Sequence, residues 1–162
     1  MQLAVKQANR ALSKGNYPAG AVLVVDGRVT DYAYNKKEEN KDRFSHAEIL
    51  LLERNSKKIL TWNKSGKRIE VYTTYEPCLM CLGACVIHRI NRIVIACPDP
   101  RGDMSQINPK LLGKWYKRHW PKIIHGLCFS ESYKLLLKFF SNRKDKESKE
   151  ALALFKKMKN SP

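Results

Sequence analysis

The chain has 162 residues, 43% of them hydrophobic, which is enough for one ordinary domain to bury a core without disulfide staples. Thirty-one lysines and arginines against fifteen acids leave a formal charge of +16, far beyond what solubility requires. No stretch approaches the roughly 18 consecutive apolar residues of a membrane span, and Lys6, Gln7, Asn9 and Arg10 interrupt any apolar signal core near the start. Five cysteines are an odd count, so the sequence predicts a soluble protein of the reducing cytoplasm with no membrane partner.

In chain order, Leu3, Val5, Ala8, Ala11 and Leu12 recur at helical spacing up to Gly15-Asn16. "AGAVLVVDGRVTDYAYN" reads as two strands joined by Asp26-Gly27, a strong hairpin signal. Residues 36–44 are charged and turn-like, and Ser45 is placed to cap a helix through "HAEILLLERN". "RIEVYTTY" is a buried strand, and Pro77 opens a helix through "CLMCLGACVIHRI". The strand "RIVIAC" ends before Pro98 and Pro100. Residues 105–118 are predicted helical, "KIIHGL" a short strand and "SESYKLLLKFF" a helix capped by Ser130. The division expected is a domain over 1–140 and a lysine-rich segment over 141–162, a surface helix or a frayed tail. Strands alternating with helices predict an α/β fold with a mixed sheet.

The chemistry concentrates in two short motifs. His46 and Glu48 start one helix, and about thirty residues later Cys78 and Cys81 start another, one turn apart on one side. A Cys-x-x-Cys pair alone is as readily redox-active or structural as metal-binding. One imidazole and two thiolates at converging helix starts make a three-ligand zinc site whose fourth position is left for water, the catalytic pattern. A structural site needs a fourth ligand, for which Cys85 is the nearest candidate; Cys85, Cys97 and Cys128 read better as packed thiols. His88, His119 and His125 lack a partner motif and read as surface or hydrogen-bonded residues. Glu48, close to the metal without being a ligand, is placed to take a proton from water and pass it on.

His-x-Glu followed by Pro-Cys-x-x-Cys is the signature of zinc nucleobase deaminases, and over residues 1 to about 140 the sequence resembles the cytidine deaminase superfamily. Within it the chain is most similar to the bacterial tRNA-specific adenosine deaminases. "YPAGAVLVVDGRV" is similar to that family's "PVGAVLV", "YAYNK" to "GWNR", "SHAEI" to "AHAEI", "TTYEPCLMCLGA" to "TLEPCVMCAGA" and "ACPDPRG" to "GAPDPKAG". The resemblance implies a three-layer cytidine deaminase-like fold, a mixed five-stranded sheet with helices on both faces. It implies Zn2+ held by His46, Cys78 and Cys81, with Glu48 as proton shuttle. It also implies substrate contacts from Asn35, Ala47 and Asp99, and a homodimer, for which Leu79, Leu82 and Val86 offer an apolar face. The sequence departs from the family at Ser45, at Tyr75 in place of the usual Leu, and over Gly102-Asp103-Met104-Ser105.

The activity implied is hydrolytic deamination, adenosine to inosine at the tRNA wobble position. The alternatives are a deaminase of free cytosine, guanine or a nucleoside, and an idle zinc subunit that only binds RNA. The basic stretches 54–68 and 110–122 contain no acid. The second sets Lys110, Lys114, Lys117 and Arg118 around Trp115, Tyr116 and Trp120, a composition suited to phosphates and unstacked bases. A general bias towards lysine, with core tryptophans and solvated lysines, would produce the same composition.

Overall fold

The computed structural model describes residues 1–102 and 107–158. Helix α1 (Gln2–Ser13) leads into the hairpin β1 (Gly20–Val25) and β2 (Arg28–Tyr34), then a single helical turn α2 (Lys37–Asn40) and the long α3 (Ala47–Lys64). Strand β3 (Ile69–Tyr75), helix α4 (Leu79–Ile87) and strand β4 (Arg92–Cys97) follow. After a 3-10 turn at Pro109–Leu111 come α5 (Lys114–Arg118), β5 (Lys122–His125), α6 (Phe129–Ser141) and α7 (Lys146–Met158). The sheet order is β2-β1-β3-β4-β5, with β1 antiparallel to β2 and β3, and β3, β4 and β5 mutually parallel.

The strands alternate as a two-sided sheet requires. Ala21, Leu23 and Val25 of β1, with Val71 and Ile93, face α3 and α4 through Leu51, Leu52, Ile59, Leu82 and Val86. Val22 and Val24 turn the other way onto α1. Helices α6 and α7 complete that second layer through Leu136, Phe139, Phe140, Ala151 and Phe155, so the apolar residues of "ALALF" are partly core. Gly20 is fixed by contact: a Cβ there would lie 2.2 Å from the Ala4 carbonyl oxygen, so only glycine lets α1 approach β1 this closely. Asp26 (φ 49°) and Gly27 (φ 78°) are both left-handed, the turn that matches the twist of a two-residue hairpin. The β2 edge is blunted by Arg54, which donates to the Tyr32 carbonyl and pairs with Asp31.

Several local expectations shift. The cap of α3 is His46, because the Ser45 hydroxyl is engaged inside the preceding loop, donating to Asp42 and accepting from Asn40. Pro77 precedes the α4 cap, Cys78, and does not occupy its first turn. Cys128, in a left-handed conformation, caps α6 and leaves Ser130 inside it. The helix expected over 105–118 is two short pieces, with Pro109 at the start of one and Gly113 before the other; 103–106 lie outside the described residues. Leu82 and Val86 are buried within their own chain, 2% and 1% exposed, so of the expected dimer face only Leu79 is free.

Candidate active site

All parts of the site sit at one edge of the sheet. The parallel strands β3 and β4 end there, delivering Glu76-Pro77-Cys78 and Pro98-Asp99; the antiparallel hairpin starts and finishes there with Ala19 and Asn35. Backbone bonds lock the seams, Glu76 N–H to the Cys97 carbonyl and Asn35 N–H to the Ala19 carbonyl. A cleft of about 280 Å³ opens at this edge, lined by Tyr17, Asn35, Lys37, Tyr75, Glu76, Pro77, Asp99 and Arg101, with His46, Glu48 and Cys78 among its walls.

The two expected metal-binding motifs meet here. His46 caps α3 and Cys78 caps α4, and Cys81 lies in the first turn of α4. The Cys78 and Cys81 sulfurs are 3.7 Å apart, and His46 Nδ1 lies 3.7 Å from one and 3.5 Å from the other. A tetrahedral zinc with Zn–S near 2.3 Å and Zn–N near 2.0 Å sets S···S at about 3.8 Å and S···N at about 3.5 Å. The donor triangle therefore fits Zn2+ in kind and in size. The hydrogen bond with Cys81 pulls the Cys78 thiol down to about 4, with His46 beside it adding to the effect. The same bond, followed by burial, pushes Cys81 up. The bond with Cys78 raises His46 against the opposing effect of burial.

Glu48 is 4% exposed in the first turn of α3. Burial raises its carboxyl above the ordinary range, partly offset by a 2.6 Å hydrogen bond donated by the Thr73 hydroxyl. A carboxyl placed beside the donor triangle is positioned to take up a proton and give it back. Asn35 and Asp99, the expected substrate contacts, both line the cleft. Asp99 accepts from Arg101 Nε at 2.9 and 3.1 Å, and its own N–H donates to Glu76. Burial works to raise Asp99, yet the Arg101 clamp outweighs it and holds the carboxyl low.

Other expected residues lie elsewhere. The Ala47 side chain is fully buried in the core under α3 and does not line the cleft. Lys110, Lys114, Lys117 and Arg118 face solvent, and none lines the cleft. Trp115, 43% exposed, borders a groove with Leu60, Lys64, Ile87 and Arg89, at the far ends of α3 and α4. Trp120 packs against the core, so the two tryptophans divide between the two expectations. Cys85 is buried in the core, outside the metal cluster, and His88 and His119 are bonded to helix carbonyls. Sequence reasoning missed Lys37, Glu76, Arg101 and Thr73. The first three neighbour motif residues; Thr73 carried one signal, a hydroxyl in the row of Ile69 and Val71.

A three-layer α/β fold whose two helix starts gather an imidazole, two thiols and a carboxylate defines the class of zinc nucleobase deaminases. The family model of the cytidine and deoxycytidylate deaminase zinc-binding region matches residues 1–97. A tRNA-specific adenosine deaminase of Bacillus subtilis is 34% identical over 147 residues, 91% of this chain and 90% of the relative. One of Agrobacterium fabrum is 33% identical, covering 89% and 93%. A structure solved in studies of A-to-I editing by tRNA:A34 deaminases superposes with a TM-score of 0.67 at 32% identity, covering 83% of this chain and 96% of that one. Guanine deaminase from Nitrosomonas europaea reaches 0.69 at 18% identity, covering 85% and 81%, a likeness of fold alone. The chain belongs to the cytidine and deoxycytidylate deaminase family, and within it to the tRNA-specific adenosine deaminases.

Elemental analysis of the purified protein should give close to one zinc per chain. The Cys78→Ser, Cys81→Ser double variant should lose it, and full retention would remove the cluster as the metal site.

Proposed function

We propose that the protein is a cytoplasmic, zinc-dependent hydrolytic deaminase that converts adenosine to inosine in tRNA at the wobble position. One observation carries this reading: Glu48 lies beside the His46–Cys78–Cys81 triangle at the wall of a cleft that also holds Asn35 and Asp99. When bound by those three ligands, zinc supplies a water acidic enough to yield hydroxide near pH 7. Glu48 would take one proton from the attacking water and deliver it to the ring nitrogen, then take the second from the hydroxyl added to the ring carbon and give it to the departing amine, so ammonia leaves and a carbonyl remains. Asn35 orients the ribose or base of the target nucleoside, and Asp99, fixed by Arg101, contacts the RNA beside it. Ala47 contributes through its backbone at the first turn of α3, since its side chain is in the core. The names of the relatives, and the tRNA:A34 specificity stated for the solved structure, support the substrate.

A base stacked in a duplex cannot enter this cleft, so the target nucleotide is in a loop and turned out. Lys37 and Arg101 are the cations at the cleft itself. The groove bordered by Trp115 lies over residues 56–64, about 15 to 27 Å along α3 from His46 at 1.5 Å per residue. Lys110, Lys114, Lys117 and Arg118 therefore hold phosphates remote from the reacting nucleotide, with Trp115 or Tyr116 available for stacking. Helix α4 exposes Leu79 (65%) and Ile87 (63%) on the face that also carries Gly83, and this stripe is the proposed homodimer surface. No described helix is long and apolar enough to cross a membrane.

Deep sequencing of tRNA incubated with the protein should show A-to-I change at the wobble position; C-to-U change, or turnover of free guanine or cytosine alone, would replace the substrate. Glu48→Ala should keep fold and zinc while kcat falls by about 10² or more, and near-normal turnover would assign the proton transfer to another group. Lys114→Glu with Lys117→Glu should weaken tRNA binding and lower the slope of log K against log salt by about 2; an unchanged slope removes α5 from the RNA path. Light scattering at micromolar concentration should give a dimer mass that Ile87→Lys halves.

A further inference from the structure

The two oxygens of Glu48 have different surroundings. Oε1 accepts the Thr73 hydroxyl at 2.6 Å, while Oε2 faces the Cys81 sulfur at 3.6 Å. Thr73 is fully buried, lies outside the metal cluster and does not line the cleft. On β3 it continues the row of Ile69 and Val71 that packs towards α3 and α4, a row in which valine would fill the same space. A hydroxyl among such neighbours carries a desolvation cost unless it is bonded, so its partner indicates what it is for.

We propose that Thr73 is a positioning residue for proton transfer: it pins Glu48 Oε1 so that Oε2 alone faces the reacting end of the cleft. The Thr73 hydroxyl has one proton and two candidate acceptors, Oε1 at 2.6 Å and the Tyr75 carbonyl at 3.1 Å. The charge-assisted bond to the carboxylate is the shorter and stronger, so it takes the proton. A glutamate side chain has three rotatable bonds, and a carboxylate displaced by about 1 Å from its acceptor costs on the order of 10² in rate. Fixing one oxygen removes that freedom and confines proton traffic to the other.

The inference rests on Glu48 as the proton carrier, and the test separates the two. Thr73→Val keeps the shape and removes the hydroxyl; Thr73→Ser keeps the hydroxyl. The expected result for Thr73→Val is a kcat lowered about 10- to 100-fold with KM within about twofold, zinc at one per chain and an unchanged melting temperature. Thr73→Ser should return kcat to within about threefold of the natural protein. Undiminished kcat in Thr73→Val overturns the positioning role, as does a loss that comes with lost zinc or that Ser does not restore. If Glu48→Ala itself retains turnover, the proton-carrier reading fails first; if Glu48→Ala is inactive and Thr73→Val is fully active, only the positioning role falls.

Discussion

Two helices have to begin at the same edge of one sheet, and the rest of the molecule is arranged around that requirement. His46 and Cys78 are caps, the half-in residues from which α3 and α4 depart. Their separation is therefore set by how the two helices lie on the sheet. Leu51, Leu52 and Ile59 on α3, and Leu82, Cys85 and Val86 on α4, fix that placement over Leu23, Val71 and Ile93. Metal–ligand distances tolerate about 0.2 Å, whereas one methylene too many in a packed interior moves backbone. The apolar core thus acts as the gauge of the donor triangle.

Magnitudes show why the cluster and zinc belong together. A helix N-terminus favours a negative group by about 0.3–1 kcal/mol, up to about 2 when partly buried. Burying an ion costs several kcal/mol. Cys81 is fully buried and Glu48 nearly so, and the cap positions alone fall short of stabilising two thiolates and a carboxylate there. A dication between the sulfurs reverses the balance, because a coordinating thiol is deprotonated outright. The Asp99 side of the cleft uses a different device: a guanidinium in a two-pronged pair keeps the largely buried Asp99 carboxylate charged, while the Asp99 N–H donates to Glu76.

How much of this could be read from the sequence follows the range of the interactions. The Asp26-Gly27 turn is a local matter of backbone conformation, and the strands and the metal-binding motifs are legible from short patterns, whereas Asn35 and Asp99 are named only through the family resemblance. Caps depend on which of several adjacent polar residues the loop has already engaged, which is why Ser45 gave way to His46. The orientation of α4 was hidden because "LMCLGACVI" is apolar on every side and has no polar face to mark the outside. Only packing against β3 and α3 decides that Leu82 and Val86 turn inward while Leu79 and Ile87 do not. Thr73 was passed over for a related reason: in a buried strand a threonine substitutes for valine in shape, so its hydroxyl alone does not say what it bonds, and only the position of Glu48 across the interface does.

Backbone geometry does not choose the base. The guanine deaminase of Nitrosomonas europaea and the tRNA:A34 deaminase structure superpose on this chain about equally well, at TM-scores of 0.69 and 0.67. Adenine and guanine are of similar size and differ in where they present hydrogen-bond donors and acceptors. Shape alone discriminates such pairs by about 10–200-fold, whereas a site built to bond one pattern rejects the other by about 10⁴–10⁵, because its buried polar groups are left unpaired. Selectivity in this fold therefore resides in the few polar side chains at the sheet edge. Here the polar side chains lining the rest of the cleft are those of Tyr17, Asn35, Lys37, Tyr75, Glu76, Asp99 and Arg101. On the proposed reading, the zinc-and-glutamate end of the cleft would fix the reaction, and these residues at the rest of the cleft would fix which nucleotide undergoes it.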